Sequence, residues 1–211
     1  MDMLLFEWEN KEIFLLKMTV FYDVSLQKID LTIGSSKWCN EVIGLGLTQA
    51  KMDDIDTIID LYHTIVHVLQ KEGNDQWDKD YLNDDLIKND IKNGKLYGIK
   101  EAGRFIAVLV LTEEKKPQYD QVNWQFTEGK NLYIHRVAVH PDFQGRGLSK
   151  KLLNFAQEFA NENGYANLRL DAYNRNPVAL NLYRSFGFEE REEISMPGRE
   201  EKFVCFEKKV L

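Results

Sequence analysis

Residues 132–163 hold the feature that most restricts how this chain can fold. LYIHRVAV reads as a strand, the tight turn His140-Pro141-Asp142 closes it, and a long helix opens at QGRGLS, with Gly145 and Gly147 at the joint. Leu148, Leu152, Leu153, Phe155, Ala156 and Phe159 recur at helical spacing, so the sequence predicts a helix over 146–163 with one buried stripe, ended by Gly164. The joint is also an anion site in physical terms. The first amides of a helix have no intrahelical partner, and the helix dipole adds partial positive charge there. Gly145 and Gly147 remove side chains from the approach, and Arg146, Lys150 and Lys151 add positive charge.

The segments around this joint alternate between the two periods. Ile55, Ile58, Ile59, Tyr62, Ile65, Val66 and Leu69 form an apolar stripe on a helix capped by Asp53 or Asp54 and running to about Lys71. A more polar helix is expected over 83–92. Residues 96–100 and 104–112 read as an antiparallel hairpin turning at Glu101-Ala102-Gly103, and a polar loop follows over 113–130. Beyond Gly164, residues 166–172 read as a strand. Asn176-Pro177 is an N-cap followed by proline at the first helical position, Ala179, Leu182, Tyr183 and Phe186 give that helix its face, and Gly187 stops it. Residues 188–194 and 201–209 close as two strands. The order is strand, helix, helix, three strands, helix, strand, helix, two strands: a mixed α/β sheet with helices on its faces. Residues 1–43 read as an N-terminal extension in which the partial alternation over 19–33 suggests an added hairpin, and 44–211 as the main domain.

Composition excludes several classes. The chain has 211 residues and is 44% hydrophobic, enough for a packed core. Its longest apolar run, Phe105 to Leu111, is far too short to span a bilayer, so no membrane association is expected, and no secretory signal is read at the start. A net charge of −7 argues against bulk attraction to nucleic acid. Cys39 and Cys205 form neither a disulfide framework nor a metal spacing, which points to the cytoplasm. His63 and His67, four apart on one helix, lack a third ligand, and no metal is expected.

The glycine joint matches neither a triphosphate loop, since Gly-Lys-Ser/Thr is absent, nor a dinucleotide fingerprint, which needs a third glycine. A second constellation, NPVALNLYRSFGF over 176–188, sets its context. Together, strand–QGRGLS–helix and strand–NPVALNLYRSFGF resemble the GNAT superfamily of acetyl-CoA-dependent N-acetyltransferases, over roughly Gly44 to Leu211. The first segment is similar to that family's acetyl-CoA pyrophosphate motif and the second to its C-terminal Asn…Tyr helix. Ser149 departs from the usual Gly or Ala; it is small, and its hydroxyl can donate to a phosphate.

The resemblance implies a mostly antiparallel central sheet of about six to seven strands with helices on both faces. It implies that Gln144, Gly145, Arg146, Gly147, Leu148, Ser149 and Lys150 surround the diphosphate of acetyl-CoA. Val137, Ala138 and Val139 would pair their backbone with the pantetheine arm, where similar proteins splay the strand from its neighbour by a bulge. Leu132 and Ile134 share one parity and Val137 and Val139 the other, as an inserted residue would produce; a strand buried on both faces would look the same. Asn176 would bond the cofactor arm, and Tyr183 would protonate the departing thiolate, although a core aromatic at helical spacing reads identically. The general base falls between Asp171 and His135, each equally readable as a solvated aspartate or a satisfied strand histidine. The acceptor, a small-molecule or peptide amine, would sit against residues 72–82, with Trp77, Asp78 and Tyr81 as wall candidates; a Trp that simply packs the helices is the competing reading. A homodimer is common among similar proteins. An acyl-CoA-binding module without turnover, and an enzyme using another acyl group, remain alternatives.

Overall fold

Short-range sequence signals govern most of the elements in the computed structural model, which describes residues 47–210. Seven strands lie in the order β1-β2-β3-β4-β5-β7-β6: β1 Leu47–Gln49, β2 Leu96–Glu101, β3 Arg104–Thr112, β4 Lys130–Val139, β5 Tyr165–Tyr173, β6 Glu189–Ile194 and β7 Phe203–Lys209. Only β4 and β5 pair in parallel; every other neighbouring pair is antiparallel. The four helices are α1 Ile55–Lys71, α2 Asp84–Lys92, α3 Leu148–Glu162 and α4 Pro177–Ser185. The expected sheet with helices on both faces is therefore present. The strand expected ahead of the first two helices is β1, three residues long. The N-terminal extension and its expected hairpin lie outside the described residues.

One face of the sheet carries α3 and α4. Leu148, Leu152, Leu153, Ala156 and Ala160 of α3, with Leu180 and Tyr183 of α4, pack on Leu132, Ile134, Leu168, Leu170 and Phe206. The other face carries α1 and α2, whose Ile58, Leu61, Tyr62, Ile87 and Ile91 pack on Leu96, Val108 and Val110. A third cluster, Tyr119, Tyr133, Tyr173, Ile194, Phe203 and Cys205, fills the same side over the C-terminal strands.

The decisive irregularity is in β4. Val108 opposes Ala138 and Val110 opposes His135, so Arg136 and Val137 together face the single residue Leu109. This is a β-bulge, and Arg136 sits in the left-handed region at φ 51°. The inserted residue switches the parity, so that Leu132, Ile134, Val137 and Val139 all face the α3–α4 side. The parity change in the sequence thus reports a bulge rather than a strand buried on both faces. A left-handed conformation is costly for a residue with a Cβ. Arg136 is held in it by a buried ion pair: its guanidinium lies 2.5 Å from Asp90 on α2, with side-chain exposures of 10% and 6%. Tyr62 donates from its hydroxyl to the Arg136 carbonyl at 3.3 Å.

Breaking a buried pair from one side strands the remaining charge, so Asp90→Asn should destabilise the fold by about 3–5 kcal/mol in urea titration. Asp60→Asn, which removes the exposed partner of Arg104, should cost less than about 1 kcal/mol. Equal losses for the two variants would exclude an anchoring role for the Arg136–Asp90 pair.

Candidate active site

The bulge separates β4 from β5. Their pairing runs from Lys130↔Tyr165 to Tyr133↔Arg169 and stops there; beyond it, β4 pairs only with β3 and β5 only with β7. A wedge opens between the two parallel strands, with Ile134 to Val139 along one wall and the end of β5 leading into α4 along the other.

At the outer end of the wedge lies the glycine joint. Gly145 and Gly147 have φ of 76° and 72°, which is why glycine is needed at both positions. A Cβ at either would meet no atom within 4 Å, so both backbones face open space. Gly147 is the left-handed residue that starts α3, and no side chain caps the helix. The first intrahelical donor is the Lys151 amide, bonding the Gly147 carbonyl at 3.1 Å. The amides of Leu148, Ser149 and Lys150 are thus the helix's orphan donors, with no acid in the first turn to compete for them. Arg146 stacks its guanidinium over Phe143 at 4.7 Å and lies 3.6 Å from Glu101. These features fit a diphosphate: free amides, a dipole end, local cations and no side chain in the way.

At the inner end the wedge widens into a cavity of about 380 Å³, bordered by Ile134, His135, Arg136 and Val137 of β4, Asp171 to Tyr173 of β5, and Asn176, Ala179 and Tyr183 of α4. Three loops complete it with Gln76, Trp77 and Tyr81, with Lys116 and Gln118, and with Met196, Pro197 and Arg199. Asn176 caps α4: its Oδ1 accepts from the Ala179 amide at 3.0 Å, and its Nδ2 donates to Gln76 at 3.0 Å. The Tyr183 ring packs against Phe188 and Phe206. Its hydroxyl makes no hydrogen bond among the described residues, and burial raises its pKa, so the phenol keeps its proton.

Asp171 is part of a buried cluster. It accepts from Lys116 Nζ at 2.7 Å and from the Tyr119 hydroxyl. Burial opposes its charge, but the Lys116 charge and these hydrogen bonds outweigh that and hold its pKa below the usual carboxylate value. It is thus a committed anion. His135 is buried at 8% exposure and pushed down to about 3, first by burial and then by the positive charge of Lys116. It is neutral at working pH.

Trp77 and Tyr81 border the cavity as the sequence suggested, and Trp77 also meets Tyr62 edge-on at 6.2 Å. Asp78 does not border it; its carboxylate accepts from Arg199 at 2.5 Å. Arg199 also donates to the Asp75 carbonyl at 2.9 Å, and Asp75 accepts from the Glu200 amide and the Tyr173 hydroxyl. These bonds strap the loop before β7 to the loop between α1 and α2. Lys116, Gln118, Met196 and Arg199 have no counterpart in the sequence reading, which saw only polar loops. Among the described residues no three His, Cys, Asp or Glu side chains are placed to hold a metal, and no helix is long and apolar enough to cross a membrane.

His135 gives the site a pH signature. Its folded pKa of about 3 lies below the unfolded 6.5, so below pH 6.5 the unfolded chain binds a proton that the native state refuses. Stability should fall with decreasing pH across that window, with a slope approaching about 1.4 kcal/mol per pH unit from this residue. His135→Gln should flatten the slope in urea titrations at stepped pH; an unchanged slope would mean that His135 is not buried neutral.

The comparisons bear on the family and the fold. A family model described as "Acetyltransferase (GNAT) family" matches residues 59–188, more than half of the chain. An uncharacterised N-acetyltransferase of Bacillus subtilis, YesJ, is 26% identical over 155 residues, covering 71% of this chain and 86% of that protein. A thialysine N-epsilon-acetyltransferase of Bos taurus is 30% identical over 66 residues, but these span only 31% of this chain and 39% of that protein. Among solved structures, a GNAT-family acetyltransferase from Streptococcus agalactiae superposes with a TM-score of 0.67 at 23% identity, over 78% of this chain and 95% of that one. The chain belongs to the GNAT acetyltransferase family and is an acetyltransferase.

Proposed function

We propose that the protein transfers an acetyl group from acetyl-CoA to a primary amine by direct attack in a ternary complex. The observation that carries this reading is the continuity of the wedge. Free amides and cations lie at one end, an unpaired strand edge runs along its length, and a tyrosine with an unengaged hydroxyl borders the cavity at the other end. In this reading residues 144–150 hold the diphosphate, Val137, Ala138 and Val139 offer their backbone to the pantetheine arm, and Asn176 flanks that arm from the start of α4. Acetyl-CoA bound there supplies an activated thioester carbonyl. The backbone amide of Val137 or Ala138 stabilises the charge that develops on its oxygen, worth about 3 kcal/mol for a well-placed donor. Tyr183 gives its hydrogen bond and proton to the departing sulfur. Its unengaged hydroxyl favours turnover over a module that only binds.

The attacking amine must be neutral. Asp171 is tied to Lys116 and Tyr119, and we assign it the placing of those two side chains instead of proton transfer. His135 holds a free lone pair but is a weak base. The burial that first depresses His135, with Lys116 beside it, also disfavours an ammonium at the cavity, so the amine binds as the free base, and His135 or water relays the last proton. We place the enzyme in the cytoplasm, where its buried thiol, Cys205, stays reduced.

Tyr183→Phe should lower kcat for acetyl-CoA-dependent thiol release by about 100-fold or more while calorimetric affinity for CoA stays the same. Unchanged turnover would remove Tyr183 as the acid. Gly147→Val places a β-branched side chain at φ 72° beside the orphan amides. It should weaken CoA binding by about tenfold or more as charge-assisted bonds to the diphosphate are lost.

A further inference from the structure

The charge layout of the cavity bears on what the acceptor is. Three cationic residues border it, Lys116, Arg136 and Arg199, against one acid, Asp171. Each cation is fixed by its own carboxylate: Lys116 by Asp171 at 2.7 Å, Arg136 by Asp90 at 2.5 Å and Arg199 by Asp78 at 2.5 Å. Neither Asp90 nor Asp78 borders the cavity. In two of the three pairs only the positive member borders the space; in the third, Lys116 and Asp171 both do. This reverses the expectation of an acidic wall built on Asp78.

Lys116 is the member with capacity to spare. Its side chain is 25% exposed, and of the ammonium's three donors only the one to Asp171 is engaged among the described residues. Burial works against its charge, but Asp171 outweighs burial, and the lysine stays protonated. His135 borders the same cavity; burial is the main cause that keeps it neutral, with Lys116 and Arg136 adding to that and Asp171 opposing it. A diamine or polyamine would bring a second positive charge to this wall.

We propose that the acceptor carries an anionic group, a carboxylate or a phosphate, beside the amine it presents, and that Lys116 binds that group. The proposal rests on the acetyl-transfer reading for the identity of the amine as the reacting end. The anion supplies acceptors for the two Lys116 donors left unengaged among the described residues, and it does so without disturbing the three ion pairs.

The test is equilibrium binding of matched pairs to the full-length protein, with and without CoA. Suitable pairs are lysine and cadaverine, ornithine and putrescine, a dipeptide and its C-terminal amide, and phosphoethanolamine and ethanolamine. In at least one pair the anionic member should bind about tenfold or more tightly than its partner, the range of a charge-assisted hydrogen bond. The carboxylate and phosphate pairs tell the two groups apart. Lys116→Gln should abolish the contrast. Because that variant leaves Asp171 buried without its cation, the double variant Lys116→Gln/Asp171→Asn, which removes both charges of the pair, provides a second reading: the contrast should again be lost while the thermal midpoint stays nearer the parent's than in Lys116→Gln alone. Equal affinities within every pair, tighter binding of the diamines, or no binding by any member overturns the proposal. Thiol release with the same panel reports separately on acetyl transfer. Selective anion binding without release would keep the Lys116 anion site and remove these amines as acceptors for direct transfer, whereas release with diamines alone would keep acetyl transfer and overturn this proposal.

Discussion

A single arginine in the wrong half of backbone space organises this molecule. Arg136 has a left-handed φ in the middle of a strand, where two residues face one. That conformation is costly, and it persists because the guanidinium is locked against Asp90 across the α2 packing interface and Tyr62 holds the same residue's carbonyl. Remove the bulge and β4 would continue beside β5, pairing the backbone groups that now line the wedge. Once β4 diverges, an unpaired strand edge, a helix start with orphan amides and a cavity fall along one line. The bulge is therefore the structural origin of the site, and its anchor lies in the packing of the opposite face.

The second organising fact is where the charge resides. The chain as a whole is acidic, at −7, yet both ends of the wedge present cationic groups. At the glycine joint this arises from amides and from Arg146, Lys150 and Lys151. In the cavity it arises from ion pairs that present cations and keep two of their three carboxylates away from the space. Net charge speaks to bulk attraction, whereas binding is decided over a few ångströms in a region of low dielectric.

Much of this was legible in the sequence because it is short-range. The helical stripes of α1 and α3, the Asn176-Pro177 cap and the stops at Gly164 and Gly187 each lie within one element and need no tertiary information. The change of parity between Ile134 and Val137 was visible too, but a strand buried on both faces would show the same, and only the register with β3 identifies the bulge. What could not be read is the cavity's outer wall. Lys116 meets Asp171 across 55 positions and Arg199 meets Asp78 across 121, and no periodicity links such partners. The residues concerned sit in loops whose composition says only that they are polar. For the same reason Asp171 and His135 looked like interchangeable base candidates. Their difference lies wholly in their neighbours: one is held as an anion by a lysine and a tyrosine, and the other is kept neutral by burial and that same lysine.

The most direct measurement of the central claim is a crystal structure of the protein with CoA. The diphosphate should lie on the backbone of residues 144–150, the pantetheine arm should run beside Val137 to Val139 where β4 leaves β5, and the sulfur should come within hydrogen-bonding reach of the Tyr183 hydroxyl. CoA seated away from the wedge, or a sulfur far from Tyr183 with β4 and β5 paired along their full length, would contradict the account.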